Sequence, residues 1–200
     1  MPMMTPLVLI LLGALCRILP HPPNAVAIGA FALFAGAKIS GRWAWTVPVG
    51  AMLLADLWLD WGTGRSVFEP TRLTIYATYA AITLLGRLAR SFRGWTAPIG
   101  LGALSLSGSA VFFLTTNFAC WLDPILGYPR TVAGLVACYA SALAFARDHY
   151  TIITILTDLF ATWVLFGLDA LLRRVHEQPR RAVAAELSAT SGPALAAVDA

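Results

Sequence analysis

Three polar side chains lie inside strongly apolar segments of the sequence, where they could bind a ligand. Asp56 lies in Met-Leu-Leu-Ala-Asp-Leu-Trp-Leu, Asp158 in Thr-Ile-Leu-Thr-Asp-Leu-Phe-Ala, and Asn117 in Phe-Leu-Thr-Thr-Asn-Phe-Ala-Cys. A charge at the centre of a bilayer costs at least about 2.5 kcal/mol, so such residues face a bundle interior or a wet cavity. Each aspartate therefore either binds a ligand or cation, or makes a buried hydrogen bond between helices.

A rigid polar loop, Leu-Pro-His-Pro-Pro-Asn, separates the first two apolar segments. Three prolines exclude a helix here, because proline lacks an N–H and moves the preceding residue out of the helical region. We expect Asn24 to be the N-cap of the next helix. His21 and Asn24 either form part of a binding element or belong to a stiff turn.

Several aromatic residues are candidates for the walls of a binding site. Tyr76 and Tyr79 lie on the fourth apolar segment, Tyr139 on the sixth, and Trp121 follows Asn117 at the end of the fifth. The alternative is that they form the aromatic belt at the membrane boundary, where Tyr and Trp are enriched.

No arrangement of residues indicates an enzyme. The sequence has no HExxH, GxSxG or Walker loop, and His21, His149 and His176 are far apart. Cys16, Cys120 and Cys138 are odd in number and lack paired spacing, so we expect free thiols and no metal site. Leu7–Leu15 resembles the apolar part of a signal peptide, but no basic residue precedes it, and we expect it to be retained.

The composition is that of an integral membrane protein. Of the 200 residues, 58% are hydrophobic and 12% are charged, with a mean hydropathy of +0.74. Soluble domains carry about 25% charged residues. The net charge of +4 is small, so we expect a lipid bilayer as partner and no nucleic acid.

The chain contains seven apolar segments, which must be helices because the bilayer core offers the backbone no water. They are Pro6–Leu19, Ala25–Ile39, Trp43–Leu59, Leu73–Leu88, Ala97–Trp121, Val132–Phe145 and Tyr150–Leu172. A span needs about 20 residues, so the first, second and sixth are short. Residues 1–174 are predicted to form one transmembrane domain, and 175–200 a disordered cytoplasmic tail.

Basic residues set the predicted orientation. They follow segments two, four and seven: Lys38 and Arg42; Arg87, Arg90 and Arg93; and Arg173, Arg174, Arg180 and Arg181. The positive-inside rule places all three groups of basic residues in the cytoplasm. The chain must therefore cross the membrane an even number of times between the second group and the third group. We therefore expect six spans, a short non-spanning or re-entrant segment six, and both termini in the cytoplasm. Seven spans with the C-terminus outside is the alternative.

Small residues recur at spacings of three and four on segment two, around Gly29 and Gly36. Such residues let helix backbones approach closely in lipid. The pattern predicts either packing within this bundle or a docking face for another membrane subunit.

A group of sequence motifs resembles a family of small bacterial integral membrane proteins marked by the HPPN motif. The motifs lie between Arg17 and Leu172: Arg17-x-Leu-Pro-His-Pro-Pro-Asn24, Gly29-Ala-x-Ala-Leu-Phe-x-Gly-Ala37, Thr116-Asn-Phe118 with Trp121, Ala133-Gly-Leu-x-Ala-Cys-Tyr139 and Leu165-Phe-Gly167. That family is similar to the substrate-binding S-components of energy-coupling-factor vitamin transporters, and in particular to BtuM-type solitary cobalamin transporters.

The resemblance implies an all-α bundle of six transmembrane helices with one extra short helix and a substrate pocket open to the periplasm. It points to His21, Asn24, Asn117 and Trp121 as binding residues. BtuM-type members ligate cobalt through a cysteine in the segment matched by Ile75–Ala81, where this chain has none. Cys120, Cys138 or His21 would have to replace that ligand.

Together with the apolar composition and the lack of enzyme motifs, the resemblance implies a non-enzymatic inner-membrane component that takes up a vitamin or similar small molecule, with cobalamin or a related corrinoid the first candidate. Cobalamin would be cargo and not a cofactor. An energy-coupling subunit would contact the face around Gly29 and Gly36. The alternative is a membrane interaction or scaffold protein that transports nothing.

Overall fold

A computed structural model describes residues 5–22, 25–63, 68–147 and 150–191. This part of the chain is all-helical. The α-helices are α1 (Pro6–Ile18), α2 (Ile28–Lys38), α3 (Thr46–Leu59), α4 (Pro70–Gly86), α5 (Ala97–Leu122), α6 (Val132–Arg147) and α7 (Tyr150–Ser191). Short 3-10 turns at Arg42–Trp45, Arg87–Ser91, Gly94–Thr96 and Pro124–Leu126 connect them.

Each helix lies within one of the predicted apolar segments or begins within three residues of it. Proline stands in the first turn of α1, α4 and α5, where its missing N–H costs no hydrogen bond. The start of α2 differs from the prediction. It begins at Ile28 with Ala27 at the N-cap, so Asn24, which lies outside the described residues, is not its cap.

Helix α2 is the centre of the bundle. Every residue from Ile28 to Gly36 is buried, as expected for a helix that is apolar on all sides. It separates two apolar clusters. Leu9, Phe34 and Leu165 belong to one cluster, and Ile28, Met52 and Ile82 belong to the other.

The helix directions define two ends of the bundle. The Asp56 end contains the C-termini of α1, α3 and α5 and the N-termini of α2 and α4, and the Lys38 end contains their other termini. Helix α7 runs parallel to α2: its Asp158 contacts the first turn of α2, and its Asp169 pairs with Lys38 at the last. The two aspartates are 11 residues apart, which is the length of α2.

Helices α6 and α7 run in the same direction along α5. Near the C-terminus of α5, the Tyr139 hydroxyl donates to the Leu114 carbonyl oxygen. Near its N-terminus, the Trp163 indole N–H donates to the Pro98 carbonyl oxygen. Together they run once from the Asp56 end to the Lys38 end, so each of the three basic groups has members at the Lys38 end, namely Lys38, Arg90, Arg93 and Arg174.

Two helical stretches are long and apolar enough to cross a membrane, judged by length and composition in the described residues. They are Gly94–Leu122, with a mean hydropathy of 1.6, and Ile152–Pro179, with 1.7. The apolar stretches Pro6–Ile18, Ile28–Lys38, Trp43–Leu59 and Val132–Ala144 are shorter than the roughly 20 residues of a span. By length and composition two helices thus qualify as membrane spans, whereas the sequence predicts six.

The end of the chain also differs from the prediction. A disordered tail is predicted over residues 175–200, whereas α7 continues through Ser191 with Pro179 inside it; residues 192–200 lie outside the described part of the chain. Ten of the 17 residues from Val175 to Ser191 are Ala, Leu, Gln, Glu or Arg, which are strong helix formers whatever the hydropathy of the stretch.

Candidate functional site

A cavity of about 550 Å³ lies near the Asp56 end of the bundle. Helices α4, α5, α6 and α7 surround it, and Arg17 and Val26 close it on the side of the loop between α1 and α2. Its volume falls within the range of about 300–1,000 Å³ typical of small-molecule sites.

One face of α5 supplies more of the wall than any other helix. The lining residues of this helix are spaced three or four apart, so they form a single stripe, with Phe112 beside it: Leu106, Ser109, Ala110, Phe113, Thr116 and Asn117. The hydroxyl groups of Ser109 and Thr116 donate to carbonyl oxygens of their own helix. The stripe is therefore apolar and aromatic, with polar atoms confined to a few positions.

Tyr79 of α4 presents a phenol to this cavity. Its side chain is only 8% exposed and packs on Phe112, with 5.1 Å between ring centroids. The Tyr79 hydroxyl makes no hydrogen bond within the part of the chain that the structure describes. Buried tyrosine hydroxyls usually have a partner, so this group is available to a bound molecule.

Asn117 lies at the same cavity, one turn before the end of α5. Its amide NH2 group donates to the Phe113 carbonyl oxygen at 2.8 Å. This bond fixes the amide along the helix and leaves its Oδ1 as the atom that can accept from a ligand. The structure thus brings together Tyr79 and Asn117, two of the residues that the sequence singled out.

Asp158 also lines the cavity, but its main contact is structural. Its Oδ1 accepts from the backbone N–H of Ala30 at 3.1 Å, and the Gly29 amide interacts with the same carboxylate. These N–H groups belong to the first turn of α2, where they have no partner within the helix. Asp158 therefore caps α2 from another helix. Of the two roles predicted from the sequence, ligand binding or a buried hydrogen bond between helices, this contact is the second.

Asp56 lies outside the cavity, in a charged cluster that joins three helices. It is 2% exposed, and its Oδ1 accepts from Arg17 Nη2 at 2.7 Å and Nε at 3.2 Å. Its Oδ2 accepts from the Tyr76 hydroxyl at 2.6 Å. Arg72 lies 3.8 Å from the same oxygen and pairs with Asp60. Asp56 and Tyr76 thus position Arg17, which lines the cavity.

The other predicted binding residues lie away from the cavity. His21 is exposed, and its ring nitrogens lie against the carbonyl oxygens of Pro22 and Arg17. Trp121 donates from its indole N–H to the Pro129 carbonyl oxygen at 2.8 Å. Tyr139 stands behind the wall, in contact with Phe113. Asn24 lies outside the described residues.

The candidate cobalt ligands do not line the cavity in the described part of the chain. The Cys138 thiol donates to the Asn117 carbonyl oxygen at 3.4 Å, and Cys120 is partly buried on the neighbouring turn. All three cysteines are free thiols. Among the described residues, no group of three or more His, Cys, Asp or Glu side chains could hold a metal ion.

The small-residue face of α2 is used inside the bundle. A Cβ atom at Gly29 would overlap the Asp158 carboxylate, and one at Gly36 would overlap the Thr83 carbonyl oxygen. A Cβ at Gly86 would in turn overlap the Leu33 carbonyl oxygen. These contacts allow α4 and α7 to approach α2 closely. A coupling subunit would therefore have to contact a different surface.

Sequence reasoning did not select Arg17 or the aromatic stripe of α5. Arg17 was treated as part of a loop motif, although a cation that follows an apolar helix is a natural partner for a buried carboxylate such as Asp56. The three- and four-residue spacing from Leu106 to Asn117 is visible in the sequence and could have identified the wall.

Comparisons with known proteins place the chain in a family without assigning it a function. No curated protein matches the sequence, and no solved structure matches it either. Residues 1–182 match the model of a family of unknown function, DUF6580, and the chain therefore belongs to that family.

Proposed function

We propose that this protein is a membrane-embedded binding component that takes up a small organic molecule of vitamin size through the cavity at the Asp56 end. The observation that carries the proposal is a cavity of about 550 Å³ that is lined by aromatic residues and contains the unpartnered hydroxyl of Tyr79. The resemblance to S-components is consistent with this proposal.

The membrane setting is supported by the surface of the bundle. On α7 the exposed apolar side chains follow helical spacing: Leu156, Phe160, Trp163, Val164, Leu168 and Leu171. In water such a continuous face would mark an interaction site, whereas in a bilayer it contacts lipid. The proposed topology has the Lys38 end in the cytoplasm and six passages, with α6 and α7 together forming the last.

The cavity also indicates the chemistry of the ligand. Phe112, Phe113 and Tyr79 suit a planar or apolar body. Asn117 Oδ1 and the Asp158 carboxylate accept hydrogen bonds, and Arg17, whose Nε and Nη2 are bonded to Asp56, offers its remaining guanidinium donors at the edge. We therefore propose an aromatic or heterocyclic ligand with at least one hydrogen-bond donor, and with an anionic or carbonyl group directed towards Arg17.

A complete corrinoid is much larger than this cavity and would need the helices to separate. The absence of a cysteine in Ile75–Ala81 also argues against cobalamin, because a thiolate is a strong cobalt ligand and the hydroxyl of Thr78 is not. In this structure Thr78 shares a hydrogen bond of 2.9 Å with Thr115. The cavity thus favours a smaller vitamin-like molecule over cobalamin.

The test is mass spectrometry of small molecules that co-purify with the full chain in mild detergent, followed by binding of the identified compound and of cobalamin. Ala110→Trp places an indole in the cavity and is expected to abolish retention. The matched control is Ala103→Trp, on an exposed position of the same helix outside the cavity lining. Equal retention by both variants would contradict the proposal, and cobalamin binding would reverse the preference for a smaller ligand.

The alternative, a scaffold protein without transport, would be favoured if the polar residues of the apolar segments adjoined no cavity. Asn117 adjoins one and Asp56 does not, so support for the binding component comes from Asn117 together with Tyr79.

A further inference from the structure

A second cavity, of about 650 Å³, opens at the Lys38 end of the bundle. It lies between the N-terminal turns of α5, the middle of α7 and the connection from α4 to α5. Four basic residues line it, namely Lys38, Arg90, Arg93 and Arg174, and no acidic residue of the described chain does.

Most of this positive charge has no carboxylate to balance it. Asp169, which is 0% exposed, is shared between Lys38 at 2.8 Å and Arg173 at 2.9 Å. Arg93 donates only to backbone carbonyl oxygens, and Arg174 makes no ion pair with the described residues. A concave site with uncompensated guanidinium groups attracts an anion, and guanidinium geometry matches phosphate.

Arg90 has a different role from the other two arginines. Its Nη2 donates to the carbonyl oxygens of Gly36 and Ile39, and its Nε donates to that of Ala37. These are the last carbonyl groups of α2, so Arg90 caps this helix. The groups free to hold a ligand are therefore Arg93 and Arg174.

The rest of the wall is largely apolar. Trp163 and Phe166 of α7 lie opposite Phe92. The Trp163 indole is held by its hydrogen bond to the Pro98 carbonyl oxygen, at 3.0 Å. Beyond this wall, α5 and α7 each carry a further exposed apolar side chain, Ile99 on α5 and Val164 on α7. A free phosphate ester would leave this wall without a partner, whereas an acyl chain would cover it.

We propose that this cavity binds an anionic phospholipid of the cytoplasmic leaflet, with its phosphate between Arg93 and Arg174 and an acyl chain along Trp163. Basic pockets between helices on the cytoplasmic side are suited to such headgroups. The inference rests on the proposed membrane setting but not on transport, since the cavity is separate from the one that contains Tyr79.

The test is native mass spectrometry of the full chain in detergent, titrated with phosphatidylglycerol and with phosphatidylcholine of identical acyl chains. We expect one phosphatidylglycerol to be retained at about ten-fold lower concentration than phosphatidylcholine. Arg93→Gln with Arg174→Gln is expected to remove the preference. The control pair, Arg87→Gln with Arg130→Gln, removes the same charge outside the cavity and is expected to keep it.

Equal retention of the two lipids by the wild type would overturn the assignment, as would equal losses in the two double variants. Displacement of phosphatidylglycerol by sn-glycerol 3-phosphate or inorganic phosphate at comparable concentration would show a free phosphate site and would also overturn it. If the double variant does not fold, Arg174→Gln alone, at an exposed position, is expected to weaken the preference about three-fold. The measurement needs no transported substrate, so it stands even if the proposed uptake fails its own test.

Discussion

The Oδ1 of Asp158 lies 3.1 Å from the backbone nitrogen of Ala30, 128 residues earlier in the chain. A carboxylate on α7 thus takes the place of an N-cap side chain for α2, whose own N-cap residue, Ala27, cannot accept a hydrogen bond through its side chain. The central helix of the bundle depends on the last one for its first turn.

This contact predicts different effects for two substitutions at position 158. Asp158→Ala leaves buried N–H groups without an acceptor and is expected to lower the free energy of unfolding by about 1–3 kcal/mol. Asp158→Asn keeps an acceptor oxygen and is expected to lose less than half as much. Thermal unfolding in detergent measures both. Equal losses of stability in the two variants would show that the negative charge of Asp158 stabilises the protein and that its hydrogen bonds to α2 do not.

The same contact predicts that Gly29 tolerates no side chain. A Cβ at Gly29 would overlap the Asp158 carboxylate, so Gly29→Ala is expected to cost about 1–3 kcal/mol of stability through steric displacement. Gly167→Ala is the matched control, because a Cβ there meets nothing within 4 Å. In the control, alanine is expected to stabilise α7 by up to about 1 kcal/mol. A neutral Gly29→Ala would mean that α2 and α7 are further apart than described.

The helices could be predicted from the sequence because apolar runs and prolines are local signals. Pro6 and the Ala97-Pro98 pair mark predicted helix starts that the structure retains, whereas α4 begins at Pro70, three residues before the predicted Leu73. The cap of α2 could not be predicted in the same way. It joins Asp158 to Ala30 across the whole bundle, and no local pattern distinguishes a capping aspartate from a ligand-binding one.

The candidate site was predictable only in part, for a similar reason. Tyr79 is predicted as an aromatic wall residue and Asn117 as a polar group in an apolar segment, and both line the cavity. Asp56 was chosen by the same reasoning, yet it pairs with Arg17 and Tyr76 instead. Burial of a polar group shows that it needs a partner, but the partner depends on how the helices are arranged.

The charged cluster around Asp56 predicts a large loss of stability when its centre is removed. Asp56→Ala leaves Arg17 and Tyr76 without their acceptor and is expected to cost about 3–5 kcal/mol, the range for a broken buried ion pair. Asp123→Ala is the control at the same end of the bundle. Its partly exposed carboxylate accepts, among the described residues, only from the Ile125 N–H, and its loss is expected to cost about 1 kcal/mol. Similar losses for both, measured by thermal unfolding, would argue against a structural cluster at Asp56.

Two tyrosines of the bundle are expected to respond in opposite ways to removal of the hydroxyl group. Tyr79→Phe removes a group that makes no bond within the described protein, so ligand retention is expected to fall about five- to ten-fold while stability is unchanged. Tyr139→Phe removes a 2.6 Å bond to the Leu114 carbonyl oxygen, so stability is expected to fall by about 1 kcal/mol with little effect on retention. The measurements are the co-purified ligand per protein and the melting temperature. A loss of stability in Tyr79→Phe would mean that its hydroxyl has a structural partner.

The course of α6 and α7 predicts which positions share a side of the membrane. Because the two helices together run once along α5, Trp61 and Ile125 lie at the Asp56 end and Arg93 and Arg174 at the Lys38 end. In a chain without its native cysteines, Trp61→Cys and Ile125→Cys are expected to react with an impermeant maleimide in intact cells. Arg93→Cys and Arg174→Cys are expected to react only after the cells are opened.

Exposure of position 174 on the same side as position 61 would mean that α6 and α7 each cross the membrane. In that case the C-terminus would lie outside, the proposed topology would be wrong, and α6 and α7 would have to lie differently around the cavity beside Tyr79 than described.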